Sequence, residues 1–238
     1  MKTSIKYTAF LFLLATSVTS CLSDKTRGNK IVTSQSRNVT EPFTKISAQQ
    51  GLSVYITMSS EEKITVETDE NLQDIIKTEI KNGTLKIYSI KKISKSEAKN
   101  VYVSILKISE IESNSGARVF AENTLISKSM TVKSSSGSSI DLQVSTDSLF
   151  SSSSSGSSLK LKGQTLYHSA KSSSGSSINS YHLKAKNVDT KANSGSHIRV
   201  TATDTLNAKA NSGGSIQYKG NPNNIDRNIS SGGNISVE

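Results

Sequence analysis

From residue 113 onward, aliphatic positions return against a serine-rich background with a spacing that fits neither a helical period nor simple alternation. Seven times the chain writes Ser or Asn, then Ser, Gly, a small residue, any residue and an aliphatic one. The glycines are Gly116, Gly137, Gly156, Gly175, Gly195, Gly213 and Gly232, at intervals of 21, 19, 19, 20, 18 and 19 residues. Ser always precedes the glycine, and three places after it stand Val119, Ile140, Leu159, Ile178, Ile198, Ile216 and Ile235. A fixed period of this length marks a solenoid or a stack of like β units. With one coil per period, equivalent residues lie about 4.8 Å apart, the aliphatic residues form an inward ladder, and seven rungs span about 29 Å. A second ladder begins seven residues before most glycines, at Met130, Leu149, Val188, Leu206 and Ile225, with His168 as its odd member. Gly supplies the positive φ of a tight corner. Ser and Asn are small enough for that corner and can bond to backbone or to their copies above and below. A hairpin per period in an antiparallel stack fits the same spacing, although near-identical small polar residues favour an in-register parallel pile.

Residues 38–112 lack the serine phrase but keep β periodicity. Leu52, Val54, Ile56 and Met58 alternate with polar or Tyr positions, as do Ile64 and Val66, then Val101, Val103 and Ile105. Each set predicts a half-buried strand. Asn82-Gly83 lies between two such runs and predicts a hairpin, because both central residues of a type I′ turn need positive φ. Asp69–Leu72 is expected to make one helical turn capped by Asp69. Residues 21–37 are polar and aperiodic apart from Ile31 and Val32, and are expected to be a tether.

The first twenty residues change the cellular picture. Lys2 and Lys6 precede an apolar run from Ala9 to Ala15, too short to cross a bilayer of ~30 Å, so residues 1–20 read as a secretory signal. The single cysteine, Cys21, follows directly after small residues, as in a bacterial lipobox. Lipidation of Cys21 would anchor the chain stably to a membrane through several acyl chains; ordinary cleavage beside an incidental Cys is the plain alternative. With one Cys there is no internal disulfide, so stability rests on packing and hydrogen bonds. Without the signal, 27 basic and 19 acidic residues leave a charge of +8. Such a surface could favour acidic partners through long-range attraction. Lys and Arg are read as scattered, however, and there is no Trp, so no base-stacking platform and no nucleic-acid partner is expected.

Candidate chemistry is sparse. The acids from Glu112 onward do not align in adjacent coils; Asp147 and Asp204 share the place nine before a repeat glycine but sit in well-separated coils. That disfavours the converging carboxylates of a polysaccharide-processing enzyme. His168, His182 and His197 are spaced 14 and 15 apart, which matches neither a coil nor a helical metal pair, and are expected at the surface or an edge. The serines have no oriented His-Asp partner, and no cofactor is expected. A flat ladder for ice or a crystal surface would call for Thr-x-Thr spacing, which occurs once, at Thr201-Ala-Thr203. Asp147-Ser148-Leu149 and Asp204-Thr205-Leu206 resemble an envelope O-glycosylation acceptor, making Ser148 and Thr205 candidate modification sites. The same triplets also read as polar turns before an inward residue.

The order of Phe43-Thr-Lys-Ile46, Gly51-Leu-Ser-Val-Tyr-Ile-Thr57, Thr65-Val-Glu-Thr-Asp-Glu-Asn-Leu72, Asn82-Gly-Thr-Leu-Lys-Ile87 and the serine-glycine phrases resembles the head GIN domain family, labelled "putative auto-transporter adhesin". The resemblance covers nearly the whole mature chain. It implies an all-β fold, a right-handed parallel β-helix-like solenoid, together with export to the cell envelope and frequent lipoprotein anchoring. It carries no catalytic or ligand-binding residue. The expected layout is a signal (1–20), the tether (21–37), an irregular N-terminal β region (38–112) and a solenoid of about 19-residue coils (113–238). The expected function is non-enzymatic adhesion or interaction by an outer-membrane lipoprotein facing the periplasm or the outside. Its partners would be the membrane, through lipid on Cys21, and a surface glycan or envelope protein. A polysaccharide-processing β-helix enzyme and a structural or assembly factor of the envelope are the alternatives.

Overall fold

The computed structural model describes residues 25–238. Strand pairing decides between the two stacks that the spacing allowed. β12 (Leu125–Ser134), β13 (Ser139–Ser153), β14 (Ser158–Ser172), β15 (Ser177–Ala192), β16 (His197–Ala210), β17 (Ser215–Lys219), β18 (Asn224–Ile229) and β19 (Asn234–Val237) each pair in parallel with the coil before. Each coil has two long sides. In β13 the inward positions alternate through Ile140, Leu142, Val144 and Thr146, then skip to Leu149, Ser151 and Ser153. Asp147 and Ser148, two successive residues that are not buried, mark the bend between the sides.

The opposite edge is the Ser-Gly corner. All seven glycines have φ between 68° and 76°, and the serine before each also has positive φ, between 46° and 54°. Two consecutive positive φ values close a turn of the type I′ kind, with a bond such as Ser157 N–H to Ser154 C=O at 3.2 Å. Each corner bonds to the next, as in Gly137 N–H to Ser155 C=O at 3.1 Å. Just inside the corner the two sides converge, which leaves room only for small residues. Ser157 Oγ donates to the Ser134 carbonyl of the coil below at 2.8 Å and accepts from Ser154 N–H at 3.1 Å. Ser138, Ser176 and Ser196 repeat this bond between coils at 2.7 to 2.8 Å. The buried serines thus satisfy backbone groups that the corner takes away from water.

The inward ladder is complete: Val119, Ile140, Leu159, Ile178, Ile198, Ile216 and Ile235 are all buried, each contributing about 1.5 to 3 kcal/mol relative to exposure. In the second ladder Met130, Leu149, His168, Val188 and Leu206 are buried. Ile225 is 43% exposed, against expectation, because β18 pairs on one side only, with β16.

The N-terminal region extends the same core. β3 (Lys45–Ala48) and β4 (Ser53–Met58) form one rung, β7 (Thr84–Ser89) and β9 (Lys99–Ile105) another, and β10 (Glu110–Ser113) and β11 (Arg118–Ala121) a third. The rung of β3 and β4 lies between the other two, pairing in parallel with β7 and β9 on one side and with β10 and β11 on the other. One side of the stack therefore runs β7, β3, β10, β12, β13, β14, β15, β16, β18, nine strands deep, or about 38 Å. Gln50-Gly51, with φ of 59° and 70°, makes an eighth corner whose Gly51 N–H bonds Ser115 C=O at 3.1 Å. The boundary expected at residue 112 falls inside β10, and one hydrophobic cluster runs through it.

Antiparallel strands close this end. β5 (Lys63–Asp69) pairs with β9, and β6 (Ile76–Lys81) with β7 across Asn82-Gly83, whose φ values of 53° and 69° bear out the hairpin. The tether expectation is corrected over its described part. β1 (Lys25–Arg27) pairs with β8 (Lys92–Lys95), and β2 (Val32–Arg37) runs antiparallel to β5. β2 is an edge strand exposed on both faces, so it carries no hydrophobic alternation to read. Residues 70–72 form the expected turn, but Asp69 makes no side-chain cap. Its buried carboxylate instead accepts from the N–H groups of Lys30 at 2.8 Å, Glu97 at 2.9 Å and Ala98 at 3.3 Å, tying β5 to two segments distant in sequence.

Candidate interaction surface

Stacking in register turns each outward position into a column along the solenoid axis. On the side formed by β9, β4 and β11, Tyr102, Tyr55 and Phe120 occupy one column and stack, with centroids 5.2 and 5.3 Å apart and planes 20° apart. Further along that side, Tyr181 stands in an irregular stretch of β15, with Lys219 Nζ 5.0 Å and Arg199 Cζ 5.7 Å from its ring centroid. At the bend, five successive coils line an open groove of about 950 Å³. Exposed Ile126 and Leu166 supply its apolar lining, and Lys128, Lys184, Lys186, Asp147 and Asp204 its charge.

The other side carries a cationic column. Lys133, Ser152, Lys171, Lys191 and Lys209 are direct partners on successive rungs. Lys133 is bound to Glu110 at 2.6 Å. On the opposite side Asp141 bridges Lys160 at 3.1 Å and Lys162 at 3.4 Å. The basic residues of the cationic side are therefore aligned, correcting the scattered reading. The signal lay in their shared offset, four places before a repeat glycine.

A family profile described as "Putative auto-transporter adhesin, head GIN domain" matches residues 42–222. The chain belongs to this family. Among solved structures, a putative adhesin from Bacteroides fragilis is similar at a TM-score of 0.81 and 21% identity, over 90% of this chain and 100% of that one. A putative lipid binding protein and a putative adhesin, both from Parabacteroides distasonis, give TM-scores of 0.72 and 0.75 at 19% and 18% identity, each over 90% of this chain and all of its own. At these identities the likeness establishes the fold. No curated protein sequence matches the chain.

In this head GIN domain the sequence-predicted residues fall as follows. The seven repeat glycines are the corners. Ser148 and Thr205 share one half-buried outward column at the bend, three rungs apart, each followed by a buried leucine. Cys21 lies outside the described residues. Asp147 and Asp204 both reach the groove, yet the three rungs between them put them about 14 Å apart. His182 and His197 are exposed, as expected. His168 is not: it is buried in the second ladder, 2.9 Å from Ser151 Oγ, and burial lowers its pKa to about 4. Its place was set by the repeat offset, which outranks the usual preference of histidine for the surface. Asp69 is pushed up by burial, but the backbone donors of Lys30, Glu97 and Ala98 outweigh that and hold it below the ordinary carboxylate value.

Proposed function

We propose that this head GIN domain protein is a non-enzymatic adhesion protein of the cell envelope, held to a membrane by lipid on Cys21 and presenting the outer face of its solenoid to partners. The observation that carries this reading is the register of the stack, which on its nine-strand side aligns outward side chains in straight columns. Such a face offers many weak contacts at fixed intervals, so avidity rather than a deep pocket sets the strength of attachment. The two-carboxylate enzyme alternative fits less well. Asp147 and Asp204, the aligned acids of the groove, stand about 14 Å apart, beyond the ≈5–9.5 Å used to cleave glycosidic bonds.

Two measurements test the proposal. Cys21→Ser should move the protein from the membrane pellet to the soluble envelope fraction. Beads coated with the wild-type chain should adhere to cell surfaces or surface polysaccharide above the bare-bead level; adhesion at the bare-bead level on every surface tried would sink the reading.

A further inference from the structure

We propose that the column Lys171, Lys191 and Lys209 is a binding site for a linear acidic polysaccharide lying along the solenoid axis; this deepens the adhesion reading and rests on it. The three lysines are exposed and are direct partners on three consecutive rungs. Like charges placed directly opposite one another on a sheet repel. In the long stack the fold sets an acid against a lysine at Asp141 opposite Lys160 and at Glu110 opposite Lys45. Like charges also face each other in the short β1–β8 pair, at Lys25 and Lys92 and at Arg27 and Lys95, but only two at a time, whereas here three lysines follow one another in a single column. Among the described residues, no carboxylate lies within 4.0 Å of any of the three ammonium groups.

The shape of the row selects the occupant. It is one lysine wide and recurs every ~4.8 Å along the axis, which suits a chain with a regularly repeated negative charge. A flat anionic membrane would also press on the neighbouring column of the same side, where exposed Asp189 and Asp226 would repel it. On the corner side of the lysines, half-buried Ser173 and Asn211 follow on the outer two of these rungs and offer a hydroxyl and an amide to sugar hydroxyls. The row ends at Ser152 on one side and Asn228 on the other, giving a window of three charges.

The test titrates the full chain against immobilised polygalacturonic acid, with dextran as the uncharged control. Binding to polygalacturonate alone is expected, weakening about tenfold between roughly 50 and 150 mM salt when three charges are neutralised with the single-strand coefficient. K171Q/K191Q/K209Q should lose about tenfold or more, while K81Q/K86Q/K91Q, which removes the same charge elsewhere, should hold within about twofold. Thermal melting checks that both variants fold, and Lys191→Gln alone probes the centre of the row. Equal losses in the two triple variants, an unchanged Lys171/Lys191/Lys209 variant, or tighter binding to phosphatidylglycerol vesicles than to polygalacturonate would each overturn the proposal. Triple-variant beads that still adhere like wild type would remove this site and leave adhesion standing. Wild-type beads that adhere nowhere would remove the adhesion reading itself.

Discussion

Replacing His168 with leucine should abolish most of the protein's sensitivity to mild acid. His168 occupies the column of Leu149 and Val188, fully enclosed, and burial lowers its pKa from 6.5 to about 4. The unfolded chain takes up a proton near pH 6.5, whereas the folded chain takes it up only near 4. Stability from this group is therefore complete above pH 6.5, declines as pH falls through that window, and levels off below 4. At about 1.36 kcal/mol per pH unit of difference, the decline reaches about 3 kcal/mol, most of it by pH 4.5. At pH 7 the substitution should change stability by less than about 1.5 kcal/mol, since the leucine is similar in size and Ser151 Oγ retains the Ser169 carbonyl at 3.4 Å. The assay is urea unfolding of wild type and His168→Leu at pH 7.0, 5.5 and 4.5 at constant ionic strength. The variant should gain on wild type steadily as pH falls, reaching an advantage of roughly 2 to 3 kcal/mol. Parallel pH dependences for the two proteins would refute the claim that a neutral histidine is held in the core.

Three further outcomes can be measured in the same way. Gly156→Ala should cost about 1–2 kcal/mol from backbone alone, because φ is 69° and nothing lies within 4 Å of an added Cβ; Gly156→Asn should cost less, and equal losses would contradict a corner limited by positive φ. Asp69→Ala leaves three backbone donors without their acceptor and should destabilise by about 3 kcal/mol or more. Because the Asp69 carboxylate is held low, its contribution is present above about pH 4 and is lost on further acidification, so circular dichroism between pH 5 and 2 should show wild type losing its advantage over the alanine variant. Lys191→Gln should raise the denaturation midpoint by the equivalent of about 0.2–1 kcal/mol, through relief of repulsion from Lys171 and Lys209; a lower midpoint would show that the lysine stems contribute more by packing than their charges cost.

The coils were legible because one geometric demand repeats. Every corner needs two positive φ values, and every inward position needs an aliphatic or small side chain, so the pattern returns near every nineteenth residue. The N-terminal rungs obey the same rules with different letters: Gln50-Gly51-Leu52 is a corner without serine. Their spatial order, with β3 and β4 lying between later strands, depends on pairings that no local pattern encodes. Asp69 looked like a helix cap because the reading was local, whereas its partners lie 28 to 39 residues away. The lysine column needed alignment by glycine offset rather than by runs of charge. β2 gave no signal because an edge strand exposed on both faces has no reason to alternate.

The interleaved rung order has a mechanical consequence. In a simple solenoid, tension on one terminus peels coils away one after another, because each contacts only its neighbours. Here the rung nearest the N-terminus in sequence is clamped on both flanks by segments that follow it in the chain. Once the singly paired β1 and β2 have come away, pulling on the N-terminal end therefore meets three interlocked layers that must give way together, so a molecule tethered from that end would resist unravelling of its coils at the first rung it loads.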